Sequence, residues 1–274
     1  MTDVGTDVTP RELASGKVLI DEPAPGVARL RISNARRSGA LDHEILDGLT
    51  EALGGLDARC VVITGEGSVF SAGYDIGDFE DGEAFAAAAE KLVAHPFTAA
   101  IDAVEGYPYT VIAALNGHAI GGGLELAIAC DIRLAADGIR LGMPPVKLGL
   151  IYSHTGLRRF MEVCGVAGAS ELVLTGRNVD AGRAAAMGLV NRVVAADELE
   201  GEVLSLASEA AAGAPLSVAG NKRIMRTLRR RAAELPPEVE RDLVSLRESC
   251  FRSEDFQEGV RAFAEKRSPE WKGR

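Results

Sequence analysis

The chain has 274 residues, 47% of them hydrophobic, and a formal net charge of −10. That supplies a substantial core for one large domain or two small ones, and the acidic balance argues against a nucleic-acid partner, because a phosphate backbone needs a basic face to release its counterions. The first fifteen residues lack the basic start and apolar run of a secretory signal, and no later apolar run approaches the ~20 residues of a membrane span, so a soluble, cytoplasmic protein without a membrane partner is expected.

Along the chain, "KVLIDE" and "GVARLRIS" (26–33) alternate apolar and polar residues with Pro23 and Pro25 between them, which predicts an opening β-hairpin. In "LDHEILDGLTEALGGL" (41–56) Leu41, Ile45, Leu49 and Leu53 recur every four residues, a helix that Gly54 and Gly55 stop. "CVVITG" (60–65) and "YTVIAALNG" (109–117) read as short buried strands, with an alanine-rich helix over about 82–104 between them. After Gly123, "LELAIACDIRLAA" reads as a helix buried on all sides that passes into a strand. Helical patterning dominates from 156, interrupted by "LTGRNVDAGRAAAMGLVNRVV" (174–194), where Asp180 is placed to cap a helix. From about 198 the chain reads as charged helices without strands. The expected organisation is an α/β core over 1–197 and a helical region over 198–274, with no fixed-period repeat.

Cys60, Cys130, Cys164 and Cys250 have no CxxC or metal-like spacing and read as buried free thiols, so no metal is expected. The basic runs "NARRSG" (34–39), "NKRIMRTLRRR" (221–231) and "FAEKRSPEWKGR" (263–274) read first as solvated faces and second as contacts for a small anionic ligand. Such a ligand would be held by local groups and helix starts, not by the overall field.

Two glycine turns offer such places. "FSAGYDIGD" (70–78) follows the strand at 60–65, and "NGHAIGGGLELA" (116–127) follows the strand at 109–115 with three glycines directly before a buried helix. Glycine lets the backbone approach a ligand closely, and a helix start supplies unpaired N–H groups at a positive dipole end. Each turn alone is also compatible with ordinary tight turns and close helix packing.

Together with "PPVKLGLIYSHTGLRRF" and "LTGRNVDAGRAAAMGLVNRVV", these motifs make the chain resemble the crotonase superfamily, the enoyl-CoA hydratase/isomerase family, from about residue 17 to the C-terminus. The resemblance implies the crotonase (ClpP-like) α/β fold, stacked ββα units followed by a C-terminal helical layer. It implies an acyl-CoA thioester as substrate and no cofactor beyond the coenzyme A of that substrate. In the family the two turns donate N–H groups to the thioester oxygen as an oxyanion hole; here the matching donors are Tyr74 and Gly122, flanked by Ala72, Asp75, Ile76 and Gly121. "RSGALD" matches the segment that contacts coenzyme A, which places Arg37, Ala40 and Leu41 near the adenine end. Phe263 and Lys266 match C-terminal residues that reach a neighbour's coenzyme A, and a homotrimer or homohexamer follows by the same resemblance. Asp75 is expected to brace its turn.

The hydratases of the family use two glutamates. Glu125 matches the first and lies three residues beyond Gly122, on the same helix face. Pro145 stands where the second would be, and it has no proton to move, so a two-carboxylate hydration lacks half of its acid/base pair. Within the family the methylmalonyl-CoA decarboxylases dispense with that glutamate and carry a tyrosine where this chain has Tyr152; "SEDFQEGVRAFAEKRSP" (253–269) also resembles their tail. In them a histidine stands in place of Tyr74, a departure, and His154 and Thr155 have no counterpart. The resemblance therefore implies an acyl-CoA lyase that decarboxylates a short malonyl-type thioester, with Tyr152 orienting the carboxylate and His154 in the wall of the acyl pocket as an acid, a substrate contact or a helix-start residue. Tyr152 reads equally as a core aromatic bonded to backbone, and Glu125 as either a proton donor or a structural group. Ser153 and Thr155 are candidate caps for the helix starting near Gly156. Two other functions stay open: an enoyl-CoA hydratase or isomerase using Glu125 alone, and an inactive acyl-CoA-binding protein.

Overall fold

The computed structural model describes residues 10–75 and 93–274. Strands are shared between two sheets. In the larger sheet β1 (Arg11–Leu13), β2 (Val18–Ala24) and β3 (Val27–Ile32) pair antiparallel, and β4 (Cys60–Gly65), β6 (Thr110–Leu115), β8 (Ile132–Ala136) and β11 (Arg192–Val194) continue it in parallel. The smaller sheet holds β5 (Val69–Ser71), β7 (His118–Ile120), β9 (Arg140–Gly142) and β10 (Val179–Asp180).

Each unit sends one strand to each sheet and returns through a helix. β4 and β5 lead to α2 (Thr98–Gly106), β6 and β7 to α3 (Gly122–Ala129), and β8 and β9 to α4 (His154–Thr175), which kinks at Gly165. This is the stacked ββα architecture expected. The three-residue strands β5, β7 and β9 are absent from the sequence reading, because alternation needs more residues than they have. The glycine turns follow these strands and not β4 and β6.

The predicted hairpin forms, but Pro23 lies inside β2. A break in register between Asp21 and Ala24 accommodates it, beyond the stretch that β1 pairs. Helix α1 (His43–Gly55) starts two residues later than the pattern suggests, because Asp42 caps it: the Asp42 carboxylate accepts the Ile45 N–H at 2.9 Å. All eight residues of α3 are buried, as its apolar surface requires. Of the expected helix over 82–104 only the end falls within the described residues, as a π-helical turn (Val93–Phe97) followed by α2.

Asp180 caps α5 (Ala181–Ala186) by accepting the Arg183 N–H at 2.7 Å, as expected. Beyond it α6 (Leu199–Ala212) buries Leu199, Val203 and Ala207 against the large sheet, so core packing continues past residue 198. Three more helices follow: α7 (Pro215–Ala232), α8 (Pro237–Phe251) and α9 (Glu254–Ala264). α7 buries no residue and leaves Leu216, Ile224, Met225 and Leu228 exposed. Cys60, Cys130 and Cys164 are buried free thiols, whereas Cys250 is only half-buried. Among the described residues no single helix is long and apolar enough to cross a membrane.

Candidate active site

Register places the site. β5 and β7 run parallel with Ser71 opposite Ala119, and β9 flanks β7 with Gly142 opposite Ile120. Their carboxyl ends therefore reach one edge of the small sheet and deliver three loops there, 72–75, 121–122 and 143–153. Parallel sheets present ligands to loops at such ends.

The first loop is pinned from both sides. The Ser71 hydroxyl donates to the Gly39 carbonyl at 2.7 Å and accepts the Gly73 N–H at 3.2 Å. Leu41 then bridges the turn: its N–H donates to the Gly73 carbonyl at 2.7 Å, and its carbonyl accepts the Asp75 N–H at 2.9 Å. In a parallel bridge of this kind the intervening residue, Tyr74, turns its own N–H away from Leu41. Asp75 pairs with Arg37, whose Nη1 lies 2.8 Å from its Oδ1.

The second loop starts α3. Gly121 precedes the helix with a φ of 56° and donates its N–H to the Gly142 carbonyl at 2.8 Å, and Gly122 is the first helical residue. The two loops touch. A Cβ on Gly73, whose φ is 98°, would stand 2.8 Å from the Ile120 carbonyl oxygen and 3.1 Å from the Gly122 nitrogen. A Cβ on Gly122 would stand 2.6 Å from Cε1 of Tyr74. Glycine is required at both by proximity. Among the described residues neither the Tyr74 N–H nor the Gly122 N–H has a protein acceptor.

A polar chain crosses this point. The Tyr74 hydroxyl lies 3.1 Å from that of Tyr152, which donates to Oε2 of Glu125; the other oxygen of Glu125 accepts from Arg159 Nη1 at 2.9 Å. Arg159 also donates through Nε to Glu105 at 2.8 Å. The Tyr74 ring is held edge-on by Phe97, centroids 4.8 Å apart. Glu125 is only 2% exposed. Burial pushes its carboxyl above the usual carboxylate range, against the charge of Arg159 and the hydrogen bonds from Tyr152 and Arg159. Burial, reinforced by the Glu125 charge, pushes both phenols well above their ordinary range. For Glu105 burial acts in the same sense but is outweighed: the charge of Arg159, its hydrogen bond, and Arg229 and Arg158 hold the carboxyl low.

The third loop divides its hydroxyls between capping and the site. Ser153 caps α4 by accepting the Gly156 N–H at 3.1 Å, and Thr155 is a residue of α4 whose hydroxyl reaches Ser153 Oγ at 3.4 Å. Of the two candidate caps Ser153 is therefore the one used. His154 is the first residue of α4, with Nε2 3.7 Å from Glu240 of α8. Pro145 is buried and opens a 3-10 turn, its carbonyl accepting the Leu150 N–H at 3.0 Å.

The remaining candidates lie farther out in character. The Leu41 side chain is fully buried in the core, Ala40 is buried with its carbonyl accepting from Asn34 at 2.8 Å, and Ala72 is exposed. Ile76 lies outside the described residues. Phe263, at the end of α9, is 62% exposed, and Lys266 follows that helix, also exposed. Sequence reasoning missed Arg159, Glu105 and Phe97. For Arg159 a signal existed: an arginine three residues after Gly156 shares the face of α4 that Gly156 and buried Phe160 turn inward.

With the geometry in place, known proteins resemble the chain over nearly its full length. A probable enoyl-CoA hydratase of Bacillus subtilis is 35% identical over 259 residues, covering 90% of this chain and 95% of that protein. A carnitinyl-CoA dehydratase of Escherichia coli is 38% identical over 222 residues, covering 79% and 82%. A solved structure of methylmalonyl-CoA decarboxylase in complex with 2-nitronate-propionyl-CoA superposes with a TM-score of 0.85 at 29% identity, covering 94% of this chain and 99% of that one. The signature of the enoyl-CoA hydratase/isomerase family matches residues 22–274, and the chain belongs to that family.

Proposed function

We propose that the protein is an acyl-CoA lyase that decarboxylates a short malonyl-type thioester, of the methylmalonyl or ethylmalonyl kind, through an enolate. The observation that carries this reading is the carboxylate of Glu125, chained through Tyr152 to Tyr74 beside two amides that have no protein acceptor among the described residues. Two preset N–H donors at Tyr74 and Gly122 suit a thioester oxygen that gains charge, and loss of one such donor raises a barrier by about 2.7–4 kcal/mol. In the reaction the bond from Cα to the carboxylate breaks, its electron pair enters the enolate, CO₂ leaves and one proton adds to Cα. Nothing in that sequence calls for a base to start it, which fits Pro145 in place of a second carboxylate. Tyr152 sets the breaking bond perpendicular to the thioester plane. Glu125, kept protonated more readily by burial, returns the proton along the Tyr152 hydroxyl. Gly121, Ala72 and Asp75 frame the turns, while Arg37, Ala40 and Leu41 lie on the coenzyme A side. The exposed apolar face of α7 would join copies into a homotrimer or homohexamer in which Phe263 and Lys266 meet a neighbour's coenzyme A. No cofactor beyond that coenzyme A is required.

A second reading is favoured by the raised Glu125 carboxyl together with the names of the hydratase and dehydratase relatives: Glu125 alone moves a proton in an enoyl-CoA hydratase or isomerase. Purified protein is given methylmalonyl-CoA, ethylmalonyl-CoA and crotonyl-CoA. CO₂ release that falls at least a hundredfold in Tyr152→Phe supports decarboxylation. Turnover of crotonyl-CoA alone, lost in Glu125→Gln and retained in Tyr152→Phe, selects the second reading and sinks the first.

A further inference from the structure

Beside Glu125 lies a cavity of about 370 Å³ between α2, the start of α4, α7 and α8. Four arginines line it: Arg158, Arg159, Arg230 and Arg247. Three have carboxylate partners. Arg158 holds Glu162 at 2.5 Å, Arg159 holds Glu105 and Glu125, and Arg230 holds Asp102 at 3.0 Å. Arg247 makes no ion pair among the described residues; its guanidinium rests over the Phe251 ring, 5.3 Å from the centroid. Glu162 is shared with Arg229, at 2.8 Å. Among the described residues that line the cavity four arginines thus face three carboxylates, Asp102, Glu105 and Glu125, and the cation left without a carboxylate partner is Arg247.

Helix geometry explains the placement. Glu240, Val244, Arg247 and Phe251 recur at spacings of four, three and four along α8, one face of the helix. Glu240 meets His154, Val244 and Arg247 line the cavity, and Phe251 anchors the face by stacking edge-on with Phe256 of α9, centroids 5.3 Å apart. The Arg247 guanidinium is therefore held over Phe251 while its charge is left to the cavity.

We infer that this cavity is the acyl pocket and that Arg247 selects an acyl group bearing a carboxylate, the dicarboxylic monothioesters, over neutral acyl chains. The inference rests on the acyl-CoA reading above and names its substrate class. A guanidinium matches a carboxylate with two parallel N–H donors. It also predicts a kinetic pattern. When the carboxylate departs as neutral CO₂, Arg247 loses its partner, so it aids binding and does not lower the barrier of the chemical step.

The test uses two unreactive thioethers, 2-carboxypropyl-CoA and isobutyl-CoA, which exchange a carboxylate for a methyl group. Wild type is expected to bind the carboxylate form at least tenfold more tightly. Arg247→Met abolishes that preference without weakening isobutyl-CoA, and Arg247→Lys, which keeps a charge and reports on folding, restores part of it. With a malonyl-type substrate, Arg247→Met raises KM at least tenfold and leaves kcat equal to or above that of wild type. Equal binding of both thioethers by wild type, or an unchanged preference in Arg247→Met, overturns the inference. An Arg247-dependent preference without CO₂ release keeps the pocket and discards decarboxylation. CO₂ release with KM unchanged in Arg247→Met does the reverse.

Discussion

Arg159 joins two regions that use the same chemistry to opposite ends. Toward α2 it holds Glu105, and toward the glycine turns it holds Glu125, at nearly equal distances of 2.8 and 2.9 Å. Yet Glu105 is kept below the usual carboxylate range and Glu125 is pushed above it. The guanidinium cannot be the cause of the difference, since it is common to both. Glu105 has Arg229 at 3.9 Å as well as Arg159, and it keeps a little more contact with solvent. Glu125 has one shared cation, nearly complete burial, and the like charge of Glu105 opposing it. The α2 side is an ion pair that fastens α4, whereas the turn side is an acid kept ready to hold its proton. The number of cations around a buried carboxylate, and not the presence of one good bond, decides which it becomes.

The largest effect expected from breaking this comparison comes at its centre. Arg159→Met leaves two buried carboxylates without their common partner, and removal of one member of a buried pair destabilises by about 3–5 kcal/mol. Urea unfolding at pH 7 measures it. Arg159→Lys keeps the charge but cannot reach both carboxylates with a planar fork, so it should recover only part of the loss. A loss under about 1 kcal/mol in Arg159→Met would mean that both ends are effectively solvated, and the contrast between them would vanish.

The next effect lies on the α2 side. Glu105→Gln removes a charged acceptor from Arg159, and hydrogen bonds to charged groups contribute about 1.5–3 kcal/mol. The sign of its pH dependence follows from the lowered carboxyl. Glu105 stabilises the fold at pH above its unfolded value near 4.5, and that contribution fades as pH falls through the folded value. Wild type and Glu105→Gln should therefore differ most near neutral pH and converge below pH 4, as chemical unfolding across that range would report. A gap that stays constant with pH would remove Glu105 from the ion-pair account.

How much of this was legible in the sequence depends on how far apart the partners lie. Buried runs such as "CVVITG" specify their strand by themselves, and Asp42, Asp180 and Ser153 announce helix starts because a cap reads residues two or three positions away. The turn residues Gly73 and Gly122 were legible as a pair by resemblance to a family, but the reason they must be glycine was not: each Cβ would strike an atom from the other turn, Ile120 for Gly73 and Tyr74 for Gly122, far away in the chain. Tyr152 was marked by what Pro145 lacks, yet its partners Tyr74 and Glu125 come from another loop and from α3, and no local pattern ties the three together. Arg247 was the least legible of all. In "VERDLVSLRESCF" it is one charge among several, and only the packing of α8 over the start of α4 separates it from the solvated ones.

The smallest effect on stability, and the sharpest contrast, is expected at Glu125. Glu125→Gln has the shape of the protonated acid; its one oxygen still accepts from Arg159 while its NH2 can donate to the Tyr152 hydroxyl, so its stability should match wild type to within about 1 kcal/mol. Here the sign of the pH dependence is reversed. A carboxyl whose folded value is raised binds its proton more tightly in the native state, so wild-type stability gains from Glu125 as pH falls through the raised folded value and levels off below the unfolded value of 4.5. Above that window wild type carries a buried charge that Glu125→Gln does not, and the variant should be the equal or better of the two. On lowering the pH wild type should gain on it. The difference between wild type and Glu125→Gln thus changes with pH in the opposite sense to that between wild type and Glu105→Gln, although both substitutions touch the same guanidinium. If the two differences ran in the same direction, the carboxylates would be equivalent ends of one ion pair, and Glu125 would have no proton to give.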